Sequence, residues 1–186
     1  MRGAKAVFLD RDGVINRYPG DTHYVTSWKK FRFLPRAKKA IAKLHARGFK
    51  LFIASNQAGI NKGIYSQRTL DGITANMLSA IERAGGRIDA VYYCIHRKEE
   101  RCSCRKPKTG MIDFAKKDFG VDVKRSYFIG DTIRDIETAK VAGCCAILVL
   151  SGKEKLKNKS NWHSKPDFVC KDLFAATQII LAGKRR

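Results

Sequence analysis

The sequence lacks long apolar runs and is poor in acidic residues. No apolar stretch approaches the ~20 residues that a helix needs to cross a bilayer, so we expect no membrane association. The first apolar stretch, 6–9, leads into aspartate rather than into a small-residue cleavage site, so we expect no signal peptide. The 186 residues include 17 acidic against 38 basic side chains, which gives a formal net charge of +21.

This positive charge attracts anions without choosing among nucleic acid, membrane surfaces and phosphorylated metabolites. The basic residues form no long uninterrupted block, and even Lys153, Lys155, Lys157 and Lys159 alternate with other residues. The sequence also has no nucleic-acid-binding motif and no basic segment interleaved with aromatic residues. We therefore expect no specific nucleic-acid partner and interpret most of the charge as solvated.

Short apolar runs alternate with amphipathic segments, without internal repeats. Such runs are typical of buried parallel strands, and their alternation with helices predicts an α/β fold, here as one domain covering 1–186. The predicted strands are 6–9, 51–54, 88–93, 127–129, 146–150 and one around Phe168. The predicted helices are 36–46, 66–84, 110–119, 133–142 and one after Asp172. The Lys- and Ser-rich segment 152–165 is expected to be a mobile surface loop.

Polar residues follow three of these strands: Asp10 the first, 55–57 the second, and Asp131 the fourth. Because parallel sheets bind ligands beyond the carboxyl ends of their strands, we predict one site at this edge. Asp10 and Asp12 lie two residues apart, so in extended geometry their side chains point the same way. A divalent cation would relieve their repulsion, and one carboxylate could stay ionised while the other holds a proton. The Asp-x-Asp-Gly pattern alone is equally typical of a polar turn.

The segment 6–13, AVFLDRDG, resembles the first signature of the haloacid dehalogenase (HAD) superfamily. Ser55 resembles the second signature, Lys106 in 104–107 the third, and 130–135, GDTIRD, the fourth. All four occur in the family's order. The resemblance implies a three-layer, Rossmann-like parallel sheet, and only ~25 residues near the first signature are free to build a lid, fewer than a large cap domain needs.

The resemblance also implies a magnesium-dependent phosphatase. Asp10 would attack phosphorus and form an aspartyl-phosphate, while Asp12 protonates the leaving alkoxide and later deprotonates water. Magnesium would be held by Asp10, the Asp12 carbonyl and Asp131. The residues implied in support are Ser55 and Lys106 on the phosphoryl oxygens and Asp135 behind the metal. Thr132 departs from the family, in which a basic residue often stands at this position.

Three cysteines and a histidine cluster within 94–104. Cys94, His96, Cys102 and Cys104 supply the ligands that suit a structural, tetrahedral zinc ion, although buried thiols or a disulfide are alternative interpretations. The loop leads directly into Arg105 and Lys106, so zinc would hold these two at the mouth of the pocket.

A zinc loop at this position resembles one branch of the superfamily, the D-glycero-D-manno-heptose-1,7-bisphosphate 7-phosphatases and the histidinol-phosphate phosphatases. The residues 55–60 and 92–107 match this branch closely over a resemblance spanning roughly 5–152, whereas 18–33 matches less well. It implies a cytoplasmic enzyme of lipopolysaccharide-precursor metabolism, which we expect to be a monomer.

The substrate is expected to be a small phosphorylated metabolite, bound by 55–57, Arg105 and Lys106. Arg105 beside Lys106 favours a second anionic group, as in a sugar bisphosphate, because a guanidinium can bind phosphate through two hydrogen bonds. Histidinol phosphate, with its cationic amine, is the alternative. A polynucleotide-end phosphatase or a nucleic-acid-binding protein is less favoured.

Overall fold

A computed structural model describes residues 3–184 and contains one sheet of six parallel strands. The strands are β1 (Ala6–Leu9), β2 (Lys50–Asn56), β3 (Ala90–Cys94), β4 (Tyr127–Gly130), β5 (Cys145–Val149) and β6 (Phe168–Cys170). The helices are α1 (Ala37–Ala46), α2 (Gln67–Glu82), α3 (Gly110–Phe119), α4 (Ile133–Ala142) and α5 (Leu173–Leu181). The strand order is β3-β2-β1-β4-β5-β6. The α/β prediction is therefore confirmed, with strand ends displaced by a residue or two.

The sheet lies between two helical layers, and each face has its own core. Along β1, Val7 and Leu9 enter the core shared with α1, α2 and α5, whereas Ala6 and Phe8 enter the core shared with α3 and α4. Every residue of β1 is buried, which explains its unbroken apolar sequence. The three-layer architecture follows from this burial of both faces.

Helix α4 begins with a reciprocal cap that also fixes a buried acid. The Thr132 hydroxyl accepts a hydrogen bond from the Asp135 backbone N–H, and the Asp135 carboxylate accepts one from the Thr132 backbone N–H at 3.1 Å. The Thr132 hydroxyl also donates to Asp135 Oδ2 at 2.6 Å. Thr132, which departs from the family pattern, therefore anchors Asp135 at the start of the helix.

Within residues 3–184, no helix combines the length and apolarity needed to cross a membrane. The segment 152–165 contains a 3-10 turn, Leu156–Asn161, followed by Trp162. The Trp162 ring is buried in the core shared with α3 and α4, and its indole N–H donates to Glu154 at 3.0 Å. This packing anchors one end of the segment; its mobility stays a prediction.

Gly130, the last residue of β4, allows α4 to approach the sheet closely. A Cβ at Gly130 would lie 2.1 Å from Asp135 Cβ, so we expect Gly130→Ala to displace α4 and lower the free energy of unfolding by about 1–3 kcal/mol. Gly72 in α2 is exposed and a Cβ there meets nothing within 4 Å, so Gly72→Ala should raise stability by about 0.5–1 kcal/mol. Urea unfolding measures both. Equal effects of the two substitutions would contradict this account.

Candidate active site and cysteine–histidine cluster

Three adjacent strands deliver the predicted polar residues to one edge of the sheet. The strand β1 pairs with β2 on one side and β4 on the other, so Asp10, Ser55 and Asp131 follow or end neighbouring strands. Asp10 continues the β1–β4 ladder, with its backbone N–H donating to Ile129 O at 3.0 Å. The predicted convergence of these segments is therefore present in the fold.

Asp10, Asp131 and Asp135 form a buried acidic cluster. One carboxylate oxygen from each lies within 4.8 Å of the others, and all three residues are less than a tenth exposed. The buried Lys106 ammonium lies 3.0 Å from Asp10 Oδ2 and 2.6 Å from Asp135 Oδ1. Three carboxylates thus face one ammonium. Burial raises the pKa of Asp10 to about 6. The Lys106 charge lowers this pKa, and the charges of Asp135 and Asp12 raise it further.

The pKa values of Asp131 and Lys106 reflect the same excess of negative charge. Burial, and then the charges of Asp10 and Asp135, hold the pKa of Asp131 well above its ordinary value. Burial alone would lower the pKa of Lys106, but the same two carboxylates outweigh burial and raise it. A divalent cation would offset the excess negative charge, and carboxylate oxygens are the ligands that magnesium prefers. The donor set therefore fits magnesium.

Asp131 is enclosed by two glycines. A Cβ at Gly13 or Gly152 would lie 2.1 or 2.0 Å from Asp131 Oδ2, so no other residue fits at either position without displacement. The Lys153 backbone N–H donates to the same oxygen at 2.8 Å, and the Ser151 hydroxyl donates to Gly13 O at 2.7 Å. The chain after β5 therefore closes one side of the acidic cluster, a contribution that the sequence motifs did not indicate.

Asp12 lies outside this cluster and has separate partners. Its carboxylate accepts hydrogen bonds from the guanidinium of Arg11, from Asn16 Nδ2 at 2.8 Å and from Gln57 Nε2 at 2.9 Å. Arg11 is fully buried and was not singled out from the sequence. Because β1 is buried on both faces, the alternation of its residues gave no signal that the side chain of Arg11 would be buried.

The side chains of residues 55–57, predicted to bind substrate, form hydrogen bonds with other residues of the protein. Asn56 pairs with the Lys106 backbone: its Nδ2 donates to Lys106 O at 3.2 Å, and its Oδ1 accepts from Lys106 N at 3.1 Å. Gln57 Nε2 donates to Asp12 and to Ser55 Oγ, the latter at 3.2 Å. Ser55 in turn bonds the Asp10 side chain. These amides hold the residues that would contact phosphate.

Cys94, His96, Cys102 and Cys104 form a second cluster beside the first. The sulfur–sulfur distances are 3.6 Å for Cys94–Cys102 and 3.5 Å for Cys104–Cys102, and His96 Nδ1 lies 3.6 and 3.3 Å from Cys94 and Cys104. Ligands bound about 2.0–2.3 Å from a tetrahedral centre are about 3.3–3.8 Å apart, so the spacing suits zinc. None of the six cysteines, all of which lie within residues 3–184, forms a disulfide, so the disulfide alternative is not realised in this structure.

The cluster is joined to the loop that carries Lys106. Arg105 donates from Nη1 to His96 O at 3.0 Å, and Lys108 donates from Nζ to Arg101 O and Cys102 O at 2.8 and 2.7 Å. One guanidinium donor of Arg105, a residue predicted to face the substrate, is therefore used in a hydrogen bond within the loop itself. The cysteine–histidine cluster and the loop that carries Lys106 therefore form one connected unit.

The segments at the ends of β1, β2 and β4 and the loop that carries Lys106 meet at one edge of a parallel sheet. These are the four segments that the resemblance to the HAD-like phosphatases implied. The HAD-hydrolase-like family model matches residues 103–176. The structure is similar to that of the D,D-heptose 1,7-bisphosphate phosphatase from B. bronchiseptica complexed with magnesium and phosphate. The TM-score is 0.89 and the identity 32%, over 97% of this chain and 99% of that one.

Curated relatives narrow the class. The D-glycero-β-D-manno-heptose-1,7-bisphosphate 7-phosphatase of Pseudomonas aeruginosa is 36% identical over 79% of this chain and 82% of the relative. The enzyme of the same name from Bordetella bronchiseptica is 33% identical over 95% and 98%. The chain belongs to the heptose-bisphosphate phosphatase family of the HAD-like hydrolases. The family resemblance and the phosphatase class inferred from the sequence are therefore confirmed.

The paired hydrogen bonds of Asn56 make it a support of Lys106, which can be tested directly. Asn56→Ala removes both bonds, so we expect the free energy of unfolding to fall by about 1–3 kcal/mol and kcat/KM for a phosphomonoester to fall with it. Asn76→Ala is the control, because Asn76 is exposed on α2 and bonds only the backbone of Gly72; its effect should stay within about 0.5 kcal/mol. Wild-type kcat/KM in Asn56→Ala would refute the supporting role.

Proposed function

We propose that this chain removes the phosphate from position 7 of D-glycero-D-manno-heptose 1,7-bisphosphate in a magnesium-dependent reaction through an aspartyl-phosphate on Asp10. The observation that carries the proposal is the contact of one buried ammonium, Lys106, with both Asp10 and Asp135 beside Asp131. A nucleophilic carboxylate, a cation for the phosphoryl oxygens and a set of metal-binding acids meet at this point. Family membership supplies the substrate class.

The first chemical step is attack of the Asp10 carboxylate on phosphorus. The Arg11 backbone N–H holds Asp10 Oδ1 at 2.7 Å, which fixes the orientation of the carboxylate. Ser55 as a donor and Lys106 as a point charge would hold the phosphoryl oxygens. As the bond from phosphorus to the leaving oxygen breaks, Asp12 gives that oxygen a proton, so the sugar departs as a neutral alcohol.

The second step hydrolyses the aspartyl-phosphate. Asp12, now ionised, takes a proton from a water molecule that attacks phosphorus, and Asp10 is released. Asp10, the Asp12 carbonyl and Asp131 would hold magnesium, with Asp135 supporting the site. Bound there, magnesium supplies positive charge that stabilises the equatorial phosphoryl oxygens and the carboxylates around them.

Zinc at Cys94, His96, Cys102 and Cys104 would have a structural role, since all four positions are filled by protein. Without metal, burial raises the pKa of the Cys94 thiol to about 12, and coordination would displace its proton. Thiolate ligands and cysteines without disulfide bonds are typical of a reducing compartment, which supports a cytoplasmic location. We also propose one domain that acts as a monomer.

The choice of heptose bisphosphate over histidinol phosphate rests on the relatives and on the second phosphate. Arg105 keeps guanidinium donors beyond the one that bonds His96 O. The phosphate at the other end of the sugar would be a suitable partner for this cation at the mouth of the pocket. A panel of kcat/KM values for heptose 1,7-bisphosphate, fructose bisphosphate, histidinol phosphate and a 3'-phosphorylated oligonucleotide tests this order. A preference for histidinol phosphate would replace the proposed substrate.

Loss of the nucleophile should abolish turnover without unfolding the chain. We expect Asp10→Asn to lower kcat by at least about a thousandfold, and Asp12→Asn by about 10²–10⁴-fold, because each loses a chemical role. Asp113→Asn, on the exposed face of α3, is the control and should keep wild-type turnover. Circular dichroism checks the fold, and mass spectrometry excludes deamidation. Near-wild-type turnover by intact Asp10→Asn would require another nucleophile.

Loss of one zinc ligand should weaken substrate binding more than chemistry. We expect purified wild-type protein to contain about one zinc per chain by elemental analysis, and Cys102→Ser to contain much less. Its melting temperature should fall, and KM should rise several-fold more for a bisphosphate than for p-nitrophenyl phosphate, because the loop positions Arg105 and Lys106. Cys145→Ser, outside the cluster, should keep zinc. Wild-type protein without zinc, purified under reducing conditions, would disprove the site.

A further inference from the structure

Asp12 is held by a buried network that the active-site motifs do not describe. The Arg11 guanidinium donates to Asp12 Oδ1 from Nε at 3.2 Å and from Nη2 at 3.0 Å, and Nη2 also reaches Oδ2 at 2.9 Å. Arg11 is buried, and Asp12 is the anion with which it forms an ion pair. Burying a guanidinium costs free energy unless it is paired with an anion. We therefore infer that Arg11 acts through the Asp12 carboxylate.

Gln57 holds the other carboxylate oxygen and is itself fixed. Its Nε2 donates to Asp12 Oδ2 at 2.9 Å, while its Oε1 accepts from the Tyr65 hydroxyl at 2.8 Å. If the amide turned over, its oxygen would face the Asp12 carboxylate and be repelled. The carboxylate therefore selects the amide orientation, and in that orientation the Tyr65 hydroxyl donates to the amide oxygen at the opposite end.

The backbone is built to admit Tyr65. A Cβ at Gly59 would lie 2.2 Å from Tyr65 Cε1, so only glycine lets the ring lie where its hydroxyl reaches Gln57. Tyr65 is buried, with 8% of its surface exposed. On the other side, the Arg11 guanidinium lies over the Tyr93 ring at 5.9 Å, and the Tyr93 hydroxyl bonds Thr74. The network is thus anchored both in the segment between β2 and α2, through Tyr65, and in β3, through Tyr93.

The Asp12 carboxylate nevertheless stays accessible. Its side chain is 21% exposed, whereas Arg11 behind it is 1% exposed. The donors therefore hold the carboxylate without covering the Asp12 side chain completely. This arrangement fixes the direction of a proton donor without covering it.

We propose that Arg11, together with Gln57 locked by Tyr65, positions Asp12 for proton transfer to the leaving alkoxide. This inference rests on the proposed phosphatase function and adds positioning residues to it. When the bond from phosphorus to oxygen breaks, its electron pair stays on the departing oxygen, and that oxygen takes the proton from Asp12. The carboxylate that remains accepts the hydrogen bonds of Arg11 and Gln57, which stabilise it until it takes a proton from water.

The dependence of rate on the leaving group separates positioning of an acid from general support of the fold. A sugar-like alkyl alcohol leaves poorly without a proton, whereas p-nitrophenolate leaves readily without one. The parameter kcat/KM reports the step that expels the alcohol. Loss of a well-placed acid should therefore lower kcat/KM much more for alkyl phosphates than for p-nitrophenyl phosphate.

The test uses the full chain with both metals bound and three variants. We expect Tyr65→Phe and Arg11→Lys to lower kcat/KM for an alkyl phosphate about 10–100-fold and for p-nitrophenyl phosphate less than about threefold. Gln57→Leu also loses the hydrogen bond to Ser55, so it should lower both values, with the larger loss for the alkyl phosphate. Across substituted phenyl phosphates, the slope of log kcat/KM against leaving-group pKa should steepen. Tyr65→Phe keeps the ring against Gly59, and Arg11→Lys keeps the charge, so both are designed to fold.

Tyr92→Phe is the matched control, because Tyr92 bonds the exposed Asp118 at 3.2 Å on α3, away from Asp12. It should leave the slope unchanged. Equal losses for alkyl and aryl phosphates in folded Tyr65→Phe and Gln57→Leu would overturn the positioning role, and so would an unchanged slope. Failure of the phosphatase proposal itself is distinct: the wild type would then lack turnover that depends on Asp10.

Discussion

The ion pairs of the Lys106 ammonium with Asp10 and Asp135 are the interaction on which the rest of the site depends. Three carboxylates are brought together at a dry edge of the sheet, where each unpaired charge would be strongly destabilising. One ammonium neutralises only part of this charge. The remaining negative charge favours a bound divalent cation, and such a cation together with Lys106 would supply the positive charge that attracts an anionic phosphate ester.

Much of the surrounding structure serves to keep that ammonium in place. Asn56 holds the Lys106 backbone from the end of β2, and Thr132 holds Asp135 at the start of α4. The cysteine–histidine cluster anchors the loop just before Lys106 through Arg105. These supports come from separate layers of the fold, so the lysine is fixed before substrate arrives. Preorganisation of this kind lowers the reorganisation needed during phosphoryl transfer.

The site contains two polar networks with different tasks. In the proposed mechanism, Asp10, Lys106 and the acids after β4 would bind the phosphoryl group. Asp12, which accepts hydrogen bonds from Arg11 and Gln57, would transfer the proton. The Gln57 amide joins the networks because it donates to Asp12 and to Ser55. Separation keeps a carboxylate for nucleophilic attack apart from a carboxylate for acid–base chemistry, although the two are only two residues apart in the chain.

Local patterns in the sequence determined the parallel α/β fold, the family and the residues gathered at one sheet edge. Unbroken apolar runs such as 6–9 mark strands buried on both faces, and the cysteine and histidine spacing in 94–104 predicted the cluster that the fold brings together. The partners of Asn56 and Gln57 were decided only by the tertiary structure. Asn56 meets a residue 50 positions away and Gln57 one 45 positions away. No local period records such contacts, because loop closure and helix packing bring these groups together.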